Sequence, residues 1–309
     1  MYSHNDISKF LIVLLGPTGV GKTDLSIKLS KFFNAPILSA DSRQIFKEMK
    51  IGTACPSPNQ LSEAPHYFIG HKNIADRYSC GMFEMDALKQ LDSIFLKGNF
   101  ALLVGGSMLY IDAVCKGIDD FPTPDPELRQ SLEDQLKQYG IENLRAQLKL
   151  LDPEHYHQID LKNSQRVLKA VEVCLQTGKP YSSFLTQPMK KRSFTPIKIG
   201  INLPREELYE KINCRVDRMI SMGLVDEVKK LAAFKSHNAL KTVGYKEIFD
   251  HLEGKNTLEQ AIELIKRNSR RYAKRQLTWW AKDKDINWFN PNDIKGIVEY
   301  IEYVSRIKV

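Results

Sequence analysis

A glycine-rich segment directly after an apolar run constrains the fold of this chain more than any other feature. The run Phe10-Leu-Ile-Val-Leu-Leu15 is continuous and partly β-branched, which predicts a strand buried on both faces. It is followed by Gly16-Pro-Thr-Gly-Val-Gly-Lys-Thr23 and then by residues 24–30 at helical spacing. This order matches GxxxxGK[ST] between a strand and a helix, the context that a phosphate-binding loop requires. The sequence therefore predicts an α/β fold with a phosphate ligand at the end of its first strand.

The predicted loop supplies several kinds of phosphate contact. Its glycines let backbone amides turn toward phosphate oxygens, and the N-terminus of the following helix adds a favourable dipole. Lys22 adds a positive charge, and the Thr23 hydroxyl is a predicted Mg²⁺ ligand. Any diphosphate or larger phosphate satisfies these groups. The predicted phosphate-binding residues are Gly16, Pro17, Thr18, Gly19, Val20, Gly21, Lys22 and Thr23.

Two further apolar runs predict strands beside the first. Residues 35–40 end at Asp41, and residues 100–104 end at Gly105-Gly106-Ser107. Ligands of open α/β sheets bind at the carboxyl ends of the strands, so we expect Asp41 to point toward the phosphate loop. An equally good interpretation from position alone is that Asp41 caps a helix beginning near Ser42. Glycines stand where a P-loop hydrolase places a magnesium-binding aspartate, which disfavours ATP hydrolysis.

Positive charge is concentrated in two stretches of this chain of net charge +8. Residues 162–192 hold seven basic residues against Glu172, and residues 266–284 hold eight against Asp283. Thr257 and Gln260 predict a capping box at the start of a helix through the second stretch. One face of this helix would carry Lys266, Arg267, Arg270, Arg271, Lys274 and Arg275, and the other would pack through Leu258, Ile262, Ile265, Tyr272, Trp279 and Trp280. The cationic face suits a nucleic-acid backbone, although a solvated helix face is the alternative.

Composition and punctuation predict the class and organisation of the protein. Of its 309 residues 42% are hydrophobic, but its longest apolar run is far shorter than a membrane span. Five scattered cysteines and no recognisable signal peptide predict a cytoplasmic protein without membrane contact. A proline-rich stretch at Phe121–Pro126 precedes leucines at helical spacing, and Thr195–Leu203 predicts a strand that returns to the sheet. We predict an α/β fold with a P-loop NTPase-like parallel-sheet core at residues 1–119 and 195–309, including C-terminal helices, and a helical insertion at 120–194.

Several motifs in order resemble one enzyme family. After the phosphate loop come Ser39-Ala-Asp-Ser-Arg-Gln44, Ile51-Gly-Thr-Ala54 and Gly105-Gly-Ser-Met-Leu-Tyr110. They continue with Gln165-Arg166, Leu203-Pro-Arg-Glu206, Met222-Gly-Leu-Val-Asp-Glu-Val228, Val243-Gly-Tyr-Lys246 and Arg271-Tyr-Ala-Lys-Arg-Gln276 before Trp279-Trp280. The sequence resembles the bacterial tRNA dimethylallyltransferases, also called tRNA isopentenyltransferases, over nearly its whole length.

The resemblance implies transfer of a dimethylallyl group from dimethylallyl diphosphate to N6 of the adenosine just 3′ of the anticodon. It implies that Asp41 is the base, that Thr23 acts with Mg²⁺, and that Arg215 clamps the leaving diphosphate. It also implies that the insertion folds over the anticodon loop of the tRNA, and we expect a monomer. The predicted tRNA contacts are Asp41, Ser42, Arg43 and Gln44 at the target nucleotide, Gln165, Arg166, Val167, Leu168 and Lys169 at neighbouring RNA, and Ser107, Arg129, Arg271, Lys274 and Arg275.

Other interpretations remain open at this point. Without the resemblance, Arg215 is a surface arginine paired with Glu210 or Asp217, Arg129 is an exposed residue, and Gln165-Arg166 is a polar helix surface. The alternative function is a P-loop kinase of a small metabolite or nucleotide, with Asp41 as base toward a hydroxyl. A third is an RNA-binding protein whose phosphate loop is vestigial.

Overall fold

The computed structural model describes residues 8–186 and 190–308, and these form alternating strands and helices. In chain order they are β1 (Phe10–Leu15), α1 (Lys22–Phe33), β2 (Ile37–Ala40), α2 (Pro58–Glu63), β3 (His66–Tyr67), α3 (Cys80–Phe95), β4 (Phe100–Gly105), α4 (Met108–Lys116), α5 (Pro126–Tyr139), α6 (Ile141–Leu151), α7 (Pro153–Gln158), α8 (Ser164–Thr177), β5 (Thr195–Ile201), α9 (Arg205–Ser221), α10 (Leu224–Lys230), α11 (Tyr245–Leu252), α12 (Leu258–Trp280), β6 (Asn287–Phe289) and α13 (Ile294–Ser305). The strands predicted from the four apolar runs are confirmed as β1, β2, β4 and β5.

The six strands of the described residues form one parallel sheet in the order β3-β2-β4-β1-β5-β6. Every residue of β1 and β4 is buried, because helices cover both faces of the sheet centre. Gly105 pairs in register with Leu15 of β1 and with Ala40 of β2. The chain segments that follow β1, β2 and β4 therefore leave the sheet together at its carboxyl end, and these segments contain the predicted phosphate loop, Asp41 and Ser107.

Residue contacts divide the chain into two units. The core unit comprises residues 1–115 and 191–309, and the insertion unit comprises residues 116–190. The sequence predicts an insertion at 120–194, so the contact boundary lies four residues earlier at each end; residues 187–189 of it lie outside the described residues. Apolar side chains of α5, α6 and α8 form the core of the insertion unit: Leu132, Leu144, Leu148, Val167, Leu168, Ala170 and Val171.

The longest helix of the core unit is α12, and the predicted capping box at its start is confirmed. The Thr257 hydroxyl accepts from Gln260 N at 3.2 Å, and the Gln260 side chain accepts from Thr257 N at 2.9 Å. Basic residues lie on each turn of this helix from Lys266 to Arg275, and its last turn has none. No helix of the part of the chain that the structure describes is long and apolar enough to cross a bilayer.

Candidate active site

The phosphate loop lies between β1 and α1, and its conformation depends on glycine. Gly19 and Gly21 have φ of 84° and 102°, in the region that side-chain-bearing residues rarely adopt. A Cβ on Gly19 would also lie 2.9 Å from Ile212 Cγ1. The Lys22 ammonium folds back over the loop, where it donates to Gly16 O at 2.8 Å and to Pro17 O at 2.9 Å. These two hydrogen bonds hold the Lys22 side chain over the loop that is predicted to bind phosphate.

The electrostatic environment of Lys22 is unusual for a lysine. Burial and then the positive charge of Arg215 lower the pKa of Lys22 to about 7, against a smaller opposing effect of Asp41. A buried lysine near another cation is costly to charge, so Lys22 holds its proton less tightly than an exposed lysine does. The loop is consequently ready to gain positive charge when a negatively charged ligand arrives.

Arg215 reaches the phosphate loop from α9. Its guanidinium donates to Thr18 Oγ1 at 3.1 Å and to Thr53 O at 3.4 Å. Burial lowers the pKa of this arginine while the negative charge of Asp41 opposes that effect. The surface interpretation of Arg215 is wrong, because its guanidinium is buried against Thr18 and Thr53. Asp217 pairs with Lys266 at 2.8 Å instead. The structure thus places the arginine of the predicted diphosphate clamp against the loop.

Asp41 follows β2 and divides its two carboxylate oxygens between different tasks. Oδ1 accepts from Arg43 N at 2.9 Å and from Gln44 N at 3.2 Å. The helix expected near Ser42 is absent, because residues 42–45 form a turn that this oxygen stabilises. Within the described residues, Oδ2 accepts no hydrogen bond. Capping and catalysis are therefore compatible for Asp41, since one oxygen caps the turn and the other is available to a ligand.

The turn after Asp41 is connected to two neighbouring segments. The Ser107 hydroxyl, just beyond β4, accepts from Ser42 N at 2.9 Å. Gln44 Nε2 donates to Thr53 O at 3.1 Å and to Ala54 O at 3.2 Å. Burial lowers the pKa of Arg43, with Asp41 opposing. The predicted target-nucleotide residues thus form one hydrogen-bonded group beside the phosphate loop.

Gln276 of α12 is a site residue whose position the sequence reasoning missed. Its side chain is fully buried. Its Oε1 accepts from Thr18 N at 2.9 Å, and its Nε2 donates to Gly106 O at 2.8 Å. Gln276 therefore connects the phosphate loop to the end of β4. One sequence signal points to this role. Helical spacing places the polar Gln276 on the same face as Ala273 and Trp280, which are both buried, so its amide needs buried hydrogen-bond partners.

The cationic face of α12 is smaller than predicted. Lys266 pairs with Asp217 and with Glu263, and Arg270 donates to Asn213 Oδ1 at 2.6 Å, so these two cations serve the protein itself. Trp279 was expected to pack but is 40% exposed, because its indole donates to Asp112 Oδ2 at 2.9 Å near the surface. The residues that remain exposed on this face are Arg267, Arg271, Lys274 and Arg275.

Two of these exposed arginines line a cleft beside the site. Arg271 and Arg275 share a cleft of about 360 Å³ with Lys241 and Lys246. Glu247 also lines the cleft, but its carboxylate accepts from Gly244 N at 2.8 Å and from Asn268 Nδ2 at 2.6 Å. Tyr272 also lines the cleft, and its hydroxyl contacts Gly106 O at 3.4 Å. The cleft is therefore a basic surface that extends from the end of β4.

In the insertion unit, the predicted tRNA residues divide into two groups. Gln165, Arg166 and Lys169 line a cavity of about 510 Å³. Val167 and Leu168 are fully buried in the core of the unit, so the prediction that their side chains contact RNA is wrong. Helical periodicity explains the error, because a continuous segment of α8 cannot present all of its residues on one face.

Arg129 is neither exposed nor free, contrary to the alternative that made it a surface residue. It donates to Glu133 Oε1 at 2.8 Å, to Gln165 Oε1 at 3.0 Å and to the buried Glu172 at 3.4 Å. Lys169 also donates to Glu172, at 3.0 Å. The buried carboxylate of Glu172 therefore orients two of the predicted tRNA-binding cations.

The residues at the phosphate loop fit a Mg²⁺ ion that binds together with a phosphate ligand. The Thr23 hydroxyl lies in the first turn of α1 and has no hydrogen-bond partner within the described residues. No group of three or more His, Cys, Asp or Glu side chains in that part of the chain is arranged to hold a metal. Mg²⁺ is commonly bound by few protein oxygens together with phosphate and water oxygens, and a single hydroxyl suits that mode.

Comparison with known proteins gives a consistent result. The model of the IPP transferase family matches residues 44–283. The tRNA dimethylallyltransferase 1 of Bacteroides fragilis is 50% identical over 295 residues, which cover 96% of this chain and 98% of that protein. Among solved structures, the full-length tRNA isopentenylpyrophosphate transferase of Bacillus halodurans is 35% identical, with a TM-score of 0.70 over 97% of this chain and 96% of that one.

A eukaryotic dimethylallyltransferase acting on tRNA is more distant in sequence but similar in fold. It is 25% identical, with a TM-score of 0.82 over 98% of this chain and 81% of that chain. The predicted P-loop fold is confirmed by these structures. The match to the family model and the similarity over nearly the full length of its relatives establish that the chain belongs to the IPP transferase family, whose curated relatives are named tRNA dimethylallyltransferases.

Proposed function

We propose that this chain transfers a dimethylallyl group from dimethylallyl diphosphate to N6 of the adenosine immediately 3′ of the anticodon in tRNA, releasing diphosphate. One observation carries the proposal. A phosphate loop with two cations, Lys22 and Arg215, lies within electrostatic range of Asp41, whose Oδ2 accepts no hydrogen bond from the described residues. This combination supports a leaving-group site with a proton acceptor beside it at the carboxyl end of the sheet.

The reaction needs a base because an adenine amino group is a weak nucleophile. Its lone pair is delocalised into the ring, so removal of a proton in the transition state assists attack. The N6 lone pair forms the bond to C1 of the dimethylallyl group, and the C1–O bond breaks with its electron pair leaving on diphosphate. Asp41 Oδ2 accepts the proton from N6, while Oδ1 continues to hold the turn through Arg43 N and Gln44 N.

The leaving diphosphate develops negative charge that must be neutralised where it forms. The Lys22 ammonium lies over the phosphate loop of residues 16–23, and the Arg215 guanidinium offers a fork that suits paired phosphate oxygens. Thr23 would hold Mg²⁺, which supplies further neutralisation of the diphosphate charge when it is bound. Lys22 and Arg215 leave their bonds to Gly16 O, Pro17 O and Thr18 Oγ1 in favour of the ligand.

The acceptor must present its amino group to Asp41. An adenosine in an anticodon loop is stacked on its neighbours, so the base is extruded before N6 reaches the carboxylate. The turn of residues 41–44 lies at the reacting atoms, and the exposed Arg271, Lys274 and Arg275 supply charge for the neighbouring phosphates. In the insertion unit, Gln165, Arg166 and Lys169 offer a polar, basic cavity for further RNA contacts.

The decisive experiment incubates the protein with radiolabelled dimethylallyl diphosphate and tRNA transcribed without modifications. Label transfer to the tRNA, recovered as N6-dimethylallyladenosine after nuclease digestion, is the expected result. A tRNA with guanosine at the target position is the matched control, since guanine carries a carbonyl oxygen on C6 where adenine carries its amino group. Turnover of ATP with a metabolite would instead support the kinase, which the family membership does not favour, and binding without turnover would support an RNA-binding protein.

A further inference from the structure

Glu227 of α10 lies outside the proposed reaction site but accepts hydrogen bonds from the backbone of residues 50–52, which lead into it. Its Oε2 accepts from Lys50 N at 3.0 Å and from Ile51 N at 2.8 Å, and its Oε1 accepts from Gly52 N at 3.0 Å. The Tyr245 hydroxyl donates to the same Oε1 at 2.7 Å. Four donors on one carboxylate use its full accepting capacity, and bonds to an ionised acceptor are stronger than neutral ones. The backbone of residues 50–52 is thereby fixed to a helix that lies about 175 residues later in the chain.

The segment that Glu227 holds ends in carbonyl groups that contact two proposed site residues. Thr53 O accepts from Arg215 Nη2 at 3.4 Å and from Gln44 Nε2 at 3.1 Å, and Ala54 O accepts from Gln44 Nε2 at 3.2 Å. The Thr53 hydroxyl in turn donates to Met49 O at 2.6 Å, which closes the turn on itself. A displacement of residues 50–52 therefore moves the acceptors that orient the diphosphate clamp and the turn of Asp41.

Packing fixes the same segment independently of the hydrogen bonds. Tyr245 is fully buried, and its ring lies against Gly52 so closely that a Cβ on Gly52 would be 2.5 Å from Cε2 and 2.7 Å from Cζ. Burial, followed by the charge of Glu227, raises the pKa of the Tyr245 phenol, so the hydroxyl remains a donor to that carboxylate at all physiological pH values. Neither Glu227 nor Tyr245 has a role in the phosphate contacts or the proton transfer described above.

We propose that Glu227, supported by Tyr245, is a positioning residue of the transfer site: it fixes residues 50–54 so that the Thr53 and Ala54 carbonyls orient Arg215 and Gln44. This inference rests on the proposed function for the reaction it serves. Through Glu227 and Tyr245, three motifs that are far apart in the chain share the task of positioning residues 50–54. These motifs are Ile51–Ala54, Met222–Val228 and Val243–Lys246. The positioning role differs from a purely stabilising role because the loss is expected in the chemical step of folded protein.

The test compares E227Q, Y245F and the control D226N. In E227Q an amide nitrogen replaces one oxygen and meets the donors of residues 50–52 or Tyr245, whereas Y245F removes a single donor. Asp226 is the neighbouring acid, 72% exposed and 3.8 Å from Lys229, so D226N removes the same charge from the same helix turn. The measurements are the single-turnover transfer rate with both substrates saturating, the affinity for inorganic diphosphate by calorimetry, and the thermal midpoint.

We expect E227Q to lower the saturating rate about tenfold and Y245F about threefold, with D226N unchanged, since bonds to a charged acceptor are the larger loss. In the background of R215A, E227Q should lower the rate by less than about threefold further, because the residue that it orients is already absent. Diphosphate affinity should fall about fivefold in E227Q.

Wild-type rate and diphosphate affinity in folded E227Q, measured well below its thermal midpoint, would overturn the proposal, as would full additivity with R215A. If E227Q does not fold, Y245F decides, and a wild-type rate in Y245F would reject the role. An absence of label transfer by the wild-type protein would instead refute the proposed function. The diphosphate affinities of E227Q and wild type would then still test the positioning role.

Discussion

Ligand binding at the phosphate loop should be accompanied by protonation of Lys22. Burial and Arg215 lower the pKa of Lys22 to about 7 in the ligand-free site. A bound diphosphate places negative charge beside this amine, so its pKa rises and the amine is charged in the complex. The sign follows directly: above pH 7 binding takes up a proton, and the affinity contributed by Lys22 falls as the pH rises.

The magnitude follows from the pKa. At pH 8 a group of pKa about 7 is about one-tenth protonated, so complete protonation on binding takes up about 0.9 proton. At pH 6 the group is about nine-tenths protonated and the uptake falls to about 0.1 proton. The difference in proton uptake between pH 8 and pH 6 is large enough to measure by calorimetry.

The assay is calorimetry of inorganic diphosphate binding in pairs of buffers with different ionisation enthalpies. K22M is the matched control, because methionine has a similar length and cannot be protonated. The ionisation of diphosphate itself is the same for both proteins, so the difference in proton uptake isolates Lys22. Equal uptake by wild type and K22M at pH 8 would refute the reasoning, since Lys22 would then be either fully charged before binding or distant from the ligand.

Three other variants test separate parts of the protein. D41N keeps an Oδ1 that accepts from Arg43 N and Gln44 N but lacks the base, so the transfer rate should fall about 10²-fold with tRNA affinity within about twofold by filter binding; a rate near wild type would remove Asp41 from the mechanism. Replacing Arg271 and Arg275 by alanine should make the slope of log affinity against log salt less steep by about 0.7 for each RNA phosphate that these arginines neutralise. An unchanged slope would show that this face of α12 is only solvated and does not contact RNA. E172A leaves Arg129 and Lys169 without their buried partner and should destabilise the insertion unit by about 2 kcal/mol or more in urea unfolding; a loss below about 0.5 kcal/mol would show that the network contributes little.

Local patterns allowed the sheet and the phosphate loop to be predicted. A strand buried on both faces has a continuous apolar sequence, and the loop that follows it needs glycines at positive φ, so both features are encoded within neighbouring residues. The same is true of the capping box at Thr257, which depends on residues three apart. The carboxyl ends of parallel strands then placed Asp41 near the loop without knowledge of any long-range contact.

Long-range contacts account for what the sequence did not reveal. Gln276 meets Thr18 across 258 residues, and Glu227 meets Ile51 across 176, so no local pattern records these pairs. The Trp279 prediction was wrong because helical spacing gives a direction but not the neighbour, Asp112, that holds the indole at the surface. The prediction for Val167 and Leu168 was wrong for the opposite reason. It assigned a continuous segment to RNA, whereas helical spacing directs these two side chains into the core of the insertion unit.

The most direct test of the account is a structure of the protein with an anticodon stem-loop and a non-reactive thio analogue of dimethylallyl diphosphate. We expect Lys22 Nζ and the Arg215 guanidinium to contact the diphosphate, and N6 of the extruded adenosine to donate to Asp41 Oδ2. Diphosphate bound away from residues 16–23, or a carboxylate of Asp41 turned away from the adenine amine, would contradict it.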